Sequence, residues 1–288
     1  MRILERCPIL VLLVTLTCCA ACSDPAEQRD GASASPTEEI QFETVSVHRT
    51  AGRCRSNGNH CAEVTLIFPL AAGGRDTVRS RINRVILESL LKAFPAGETT
   101  DLTDWSVPRL ETAAETFVRQ WSDAFEADAN GIGNRQLLVT GESAGCRHDV
   151  ASVSLGVYVL HEDDHPVSYT IIHNFDLRNG ALIGWPDLVD SLPSFRDFVS
   201  RQLLQSLEGT DLLPRNSPGH LPEKPDLPQH FELTEDGLYL WYNPFELGMF
   251  SSGPTDLLIP YDSLQGFLRT DRIGCLRFQA ATIRPGVQ

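Results

Sequence analysis

Apolar residues recur along this chain with two different periods, and the change of period divides it into blocks. Ile40 to His48 and Ala62 to Phe68 place them near alternate positions, as half-buried strands do, the second run ending at Pro69. From Arg75 to Phe94 the interval lengthens. Val78, Ile82, Val85, Ile86 and Leu90 lie at helical spacing. A second helical stripe is clearer: Leu110, Ala113, Ala114, Phe117, Val118, Trp121 and Phe125 share one face. Ser106 is placed to cap this helix and Pro108 suits its first turn.

The period then returns to two. Gln136 to Glu142, Val150 to Leu160 and Val167 to Leu177 are rich in Val, Ile, Leu, Thr and Tyr and read as strands. The short polar link His161 to Pro166 suits a hairpin, and Arg178-Asn179-Gly180 marks a further turn. Phe195, Phe198, Val199, Gln202 and Leu203 predict a third helix from about Leu192 to Glu208. Pro214 to Pro228 is too proline-rich for a helix or a central strand. Phe231 to Thr234 and Leu238 to Tyr242 flank Glu235-Asp236-Gly237, a second hairpin signal. Leu257 to Ile259 reads as a last strand before a short helix at Tyr261 to Leu268. Strands and helices come in blocks, which predicts an α+β fold: largely antiparallel sheets with about three amphipathic helices packed on one side.

The first residues follow neither period. Arg2 and Arg6 precede an apolar run, Cys7 to Ala21, that is too short to span a bilayer and right for a signal-peptide core. It ends in Ala20-Ala21-Cys22, small residues before a cysteine as in a lipoprotein signal. Cys22 is the expected lipidation site, with Cys19, three residues after Leu16, as the alternative. Residues 1–21 are thus expected to be a signal peptide and 22–39, with no large apolar side chain, a flexible tether. Residues 40–288 form the folded module, with an N-terminal segment at 40–135 and a C-terminal segment at 136–288. Ser23 after Cys22 is not the aspartate that retains lipoproteins in the inner membrane. The expected location is therefore the outer membrane, facing the periplasm.

Beyond the signal, four cysteines remain: Cys54, Cys61, Cys146 and Cys275. An even count in an exported chain suggests two disulfides. Cys54 and Cys61 flank a polar, turn-forming loop and are expected to pair, which leaves Cys146 with Cys275 by subtraction. The net charge of −14 argues against nucleic acid as a partner and suits solubility.

Two stretches have the letters of catalytic motifs. Gly141-Glu142-Ser143-Ala144-Gly145 fits the nucleophile elbow of esterases, which needs Ser143 on a tight strand-to-helix turn. Here the residues that follow alternate like a strand, so a serine hydrolase is only the alternative reading. His161-Glu162-Asp163-Asp164-His165 fits a zinc-peptidase motif, but that chemistry needs both imidazoles on one helix face. Two aspartates and Pro166 favour a turn instead. No Walker loop, dinucleotide fingerprint or calcium loop occurs, and no cofactor or metal is expected.

The C-terminal half resembles a known family. Phe231, Leu233, Gly237-Leu238, Tyr242, Pro244-Phe245-Glu246-Leu247-Gly248, Phe250 and Gly253, continuing into Ile259-Pro260-Tyr261 and Leu264, keep its spacing. Upstream, Asn174-Phe175-Asp176-Leu177, Gly180, Leu182 and Asp187-Leu188 match a second segment, and Ala62 to Phe94 a companion one. The pattern is similar to the domain-of-unknown-function family of the extracellular domain of the lysozyme-sensing anti-sigma-V factor. The same domain occurs as the non-catalytic module of a peptidoglycan deacetylase. Where the family often has Gly-Gly-Ala-His-Pro, this chain has Glu162-Asp163-Asp164-His165-Pro166 and keeps only the last two.

The resemblance implies a non-catalytic envelope module, which the N-terminal signal is expected to anchor through a lipid. Its ligand would be lysozyme or another muramidase, or peptidoglycan itself. A structural lipoprotein that docks a protein partner is the remaining class. Asn243-Pro244 bends the chain out of a strand, and the irregular loop after it carries aromatic and acidic residues. Tyr242, Asn243, Phe245, Glu246 and Phe250, with His165, are the expected binding residues.

Overall fold

The Cys54–Cys61 disulfide closes a long hairpin made by β1 (Gln41–Gly52) and β2 (Cys61–Ala72). In the computed structural model, residues 39–54, 60–95, 103–128, 133–147, 149–161, 165–207, 222, 224–244, 246–247 and 253–269 are described, with backbone only at 145–147. Gly52, at φ 81°, turns the chain at the hairpin end, where an added Cβ would lie 2.4 Å from the His60 carbonyl oxygen. Only glycine adopts that backbone beside so close a neighbour.

After β2 the chain crosses over through two helices, α1 (Asp76–Lys92) and α2 (Val107–Ala127), and returns as β3 (Arg135–Arg147). Ser106 caps α2 as its position predicts, its hydroxyl accepting from the Arg109 amide at 3.3 Å. Strands β4 (Val150–His161), β5 (Val167–Asp176) and β6 (Ala181–Leu182) follow, giving a six-stranded sheet in the order β1-β2-β3-β4-β5-β6. All its pairings are antiparallel except β2 with β3, which is parallel because the helices carry the chain back to the same end.

β2 continues past Pro69, which the sequence reading takes as its end. The β2–β3 ladder stops at Ile67 and Thr140, so Pro69 lies where β2 keeps only β1 as a neighbour and a missing N–H is tolerated.

The alternation of side chains gives this sheet two different faces. Val64, Leu66, Phe68, Leu137, Val139, Val153, Leu155 and Phe175 point to one face. There they bury Val78, Ile82, Ile86 and Leu90 of α1 and Leu110, Ala113, Ala114 and Phe117 of α2. Asn83 of α1 fastens the layers: its amide accepts from the Ala71 N–H at 2.7 Å and donates to the Ala71 carbonyl at 3.0 Å.

A second core forms around α4 (Leu192–Ser206), which follows the single-turn α3 (Trp185–Leu188). Phe195, Val199 and Leu203 of α4 pack against β7 (His230–Leu233), β8 (Gly237–Tyr242) and β9 (Thr255–Pro260), an antiparallel three-stranded sheet. A 3-10 turn, Tyr261–Leu264, follows where a short helix is expected. Phe231, Leu233, Leu238, Leu240 and Tyr242 face α4, which leaves His230, Glu232, Tyr239 and Trp241 on the opposite side. The architecture is α+β, two largely antiparallel sheets with three helices of more than two turns, as the block pattern predicts.

Candidate functional site

β7 lies against the second face of β4 and β5, the one the helices do not cover. Asn174 joins them: it accepts from the Ser152 hydroxyl at 2.7 Å and donates to the Phe231 carbonyl at 2.7 Å, with both side chains buried. Such a satisfied buried network fixes one sheet on the other. Further along β5, the Ile172 N–H donates to His230 Nδ1 at 3.2 Å, and Asn243 holds the Thr170 peptide.

Beyond Asn243 the two sheets part and leave a groove of about 500 Å³. Its floor is the second face of three neighbouring strands: Leu138 and Thr140 of β3, Gly156 and Tyr158 of β4, Ser168 and Thr170 of β5. Trp241, Asn243, Pro244 and Pro254 wall it from the second sheet. The Trp241 indole N–H donates to Asn243 Oδ1 at 3.0 Å, so one amide anchors both the wall and the floor. Among the described residues, no charged side chain lines the groove. Among the described residues, the hydroxyls of Thr140, Tyr158, Ser168 and Thr170 make no internal hydrogen bond. Gly156 keeps the floor low. Among the described residues, a Cβ there would meet only the Thr140 carbonyl oxygen, at 3.6 Å.

The expected binding residues are dispersed by the structure. Asn243 lines the groove. Tyr242 is 1 % exposed and belongs to the second core, its hydroxyl donating to the Asp226 carbonyl at 3.1 Å. Burial raises its phenol well above the ordinary range. The Tyr242 side chain is therefore part of the packing and is no contact surface. Glu246 turns back on the main chain, accepting from the Asn243 backbone N–H at 3.0 Å and the Gln229 backbone N–H at 3.1 Å. His165 is exposed beside β5. Phe245 and Phe250 lie outside the described residues, as do Cys275 and the Cys146 side chain, so only the Cys54–Cys61 pairing is seen.

Neither catalytic-looking motif has the geometry its chemistry requires. Gly141 to Gly145 lies inside β3, which continues to Arg147 and turns back as antiparallel β4. Ser143 is an exposed mid-strand residue opposite Val153, with no helix opening after it. His161 ends β4, its Nε2 3.0 Å from Arg135 Nη2, and His165 follows beyond residues outside the described set. Among the described residues no His, Cys, Asp and Glu side chains group as metal ligands do.

Apart from Asn243, the groove residues are missed by sequence reasoning because they come from four strands and look like the polar phase of ordinary strands. One signal exists: Ser152, Ser154, Gly156 and Tyr158 alternate with Val153, Leu155 and Val157, which marks a second face that is neither core nor charged.

Residues 186–262 match the model of a family described as "Protein of unknown function (DUF3298)". This stretch takes in α4, the second sheet and the wall of the groove, whereas the floor lies outside it. The chain is similar in fold to a DUF3298 family member from Bacteroides fragilis, with a TM-score of 0.59 and 14 % identity over 81 % of this chain and 94 % of that one. It is also similar to a DUF3298 family protein from Pseudomonas aeruginosa, with a TM-score of 0.51 and 13 % identity over 81 % of this chain and 96 % of the other. At such identities the likeness concerns the fold alone. No curated protein matches the chain.

Proposed function

We propose that the chain is an exported, lipid-anchored envelope protein whose α+β module binds peptidoglycan without breaking bonds in it. The observation that carries this reading is the groove between the sheets, whose described lining carries no charge, open at the surface and walled by the segment that matches the DUF3298 model. Ligand sites of this kind are concave, mostly apolar and furnished with a few polar groups that orient the ligand.

Export is supported by the basic, apolar and small-residue order of residues 1–22 and by the Cys54–Cys61 disulfide, which belongs in an oxidising compartment. No helix among the described residues is long and apolar enough to cross a membrane. An acylated Cys22 would therefore provide the anchor, with residues 22–39 as the tether and the outer membrane as its address.

A second reading has one observation in its favour. The chain is acidic, with a net charge of −14 over its 288 residues, which would favour association with a basic, lysozyme-like protein.

The test uses the full-length chain in membrane fractions and after detergent extraction. Labelled palmitate is expected to enter the wild type but not Cys22→Ser. Incorporation that survives this change and is lost in Cys19→Ser moves the anchor to Cys19. Extracted protein is expected to sediment with purified sacculi. Capture by immobilised lysozyme, without sedimentation, supports the second reading. Binding to neither overturns the envelope-ligand function.

A further inference from the structure

We infer that the groove holds an uncharged pyranose ring of a glycan strand, and not the charged peptide that crosslinks it. This deepens the proposed function and rests on it for the source of the ligand, but the chemistry is local to the groove.

The argument begins with what the lining excludes. The chain is strongly acidic, yet among the described residues no ionised side chain lines the groove. A charged ligand would lose hydration there and find no counter-ion, a cost that an uncharged ligand avoids. A purely hydrocarbon ligand fits poorly for the opposite reason. Thr140, Tyr158, Ser168 and Thr170 bring four hydroxyls that have no internal partner among the described residues, and a hydrocarbon would bury them unpaired.

A ligand that satisfies both conditions must be neutral, carry many hydroxyl or amide groups and still present an apolar face. A pyranose ring does this. Its axial C–H groups form an apolar patch suited to an aromatic wall such as Trp241, and its equatorial hydroxyls radiate toward the rim. Hydroxyl side chains suit it because each both donates and accepts, as a sugar hydroxyl does. The geometry is also fixed in advance. Trp241 is tied by its indole N–H to Asn243, and Asn243 is tied to the Thr170 backbone, so wall and floor need no reordering to receive a ring.

Gly156 supplies the decisive variant. Its position tolerates a Cβ, since among the described residues the only neighbour within 4 Å would be the Thr140 carbonyl oxygen at 3.6 Å. Gly156→Leu thus fills the groove from its floor and leaves the sheet intact.

The experiment titrates the full-length, detergent-extracted protein with a β-1,4-linked N-acetylglucosamine tetramer and with maltotetraose. A free alanyl-glutamyl peptide and cyclohexane serve as the charged and hydrocarbon comparisons. Heat of binding is measured, and the amide resonances of Gly156, Ser168 and Thr170 are followed. At least one neutral oligosaccharide is expected to bind and to shift those three resonances. Gly156→Leu and Trp241→Ala are each expected to weaken it at least tenfold.

Preferential binding of the peptide or of cyclohexane, absence of binding to both sugars, or sugar binding that moves none of the three resonances overturns the inference. If Gly156→Leu melts far below the wild type, the resonance shifts of the wild type and the Trp241→Ala titration decide. Sacculus binding that survives Gly156→Leu, with no sugar bound, sinks the groove assignment and leaves the envelope function standing. Failure of sacculus binding with sugar binding retained does the reverse.

Discussion

Asn243 holds Thr170 as a neighbouring strand would. Its Oδ1 accepts from the Thr170 N–H at 2.7 Å and its Nδ2 donates to the Thr170 carbonyl at 2.8 Å. β5 pairs with β6 at Phe175 and Asp176, so among the described residues its outer edge before them has no strand paired to it, and one side-chain amide closes part of that edge. Asn243→Ala removes both bonds and frees Trp241. A loss of about 1–3 kcal/mol is expected in urea denaturation. Asn243→Asp keeps the acceptor but sets a carboxylate against the Thr170 carbonyl. It should be less stable at pH 7 than at pH 4, relative to wild type, and an unchanged midpoint in both variants would refute the edge-closing role.

His173 gives the stability of the module a pH dependence. Its Nε2 lies 2.8 Å from the Ser89 hydroxyl, and burial first, then the nearby His230, lower its pKa from 6.5 to about 4. Glu88 opposes this shift and Lys92 adds to it. His230 is itself lowered, chiefly by burial. Between pH 6.5 and about 4 the unfolded chain therefore binds protons that the folded chain does not. Stability present above pH 6.5 is lost as the pH falls through that window. At about 1.4 kcal/mol per pKa unit, His173 contributes up to roughly 3 kcal/mol to the loss. Melting curves from pH 7.5 to 4 should fall steeply for the wild type and more gently for His173→Gln, and parallel curves would remove His173 as the cause.

Reduction of the hairpin disulfide should cost stability without loss of fold class. Cys54 and Cys61 are separated by 7 residues in sequence. Removing so short a crosslink costs about 2–3 kcal/mol in the chain-entropy model. The double variant Cys54→Ser with Cys61→Ser is expected to show this loss in chemical denaturation, with unchanged far-ultraviolet circular dichroism. A variant as stable as the oxidised wild type would mean that the neighbouring β1–β2 ladder already holds the loop.

Two positions of one motif should respond in opposite ways. A Cβ on Gly141 would lie 2.7 Å from Leu155 Cδ2 and 2.9 Å from Pro69 Cδ, so Gly141→Ala overpacks the sheet and should cost about 1–3 kcal/mol. Ser143 is exposed, and Ser143→Ala should stay within about 0.5 kcal/mol of wild type. Any ester hydrolysis by the protein should also be indifferent to Ser143→Ala; its abolition would restore the nucleophile.

Local periods made much of the fold legible. The stripe of α2 is the buried stripe observed, with Leu110, Ala113, Ala114, Phe117 and Trp121 all inside. Glu235-Asp236-Gly237 does join β7 to β8. The parallel β2–β3 pairing was not legible, because a crossover through two helices has the same local pattern as a separate helical block. The site was legible only at Asn243. Tyr242 and Glu246 attract notice for their chemistry, yet one fills the core and the other secures its own loop. Groove residues such as Thr140, Gly156 and Ser168 become neighbours only through pairing between strands, which no single-strand pattern reveals.

The parallel pairing also constrains the order in which the molecule is completed. The β1–β2 hairpin lies near the start of the folded region, but Ala62 to Ile67 must wait for Arg135 to Thr140 before that flank is occupied. A chain emerging from a ribosome or a translocation pore thus exposes a nearly finished hairpin with one unsatisfied side until both helices have followed it out. Slow, non-local closure of this kind invites mispairing between newly made copies. The aggregation hazard of this protein should accordingly be greatest in nascent chains stalled within the α1–α2 crossover, and should fall once β3 has emerged.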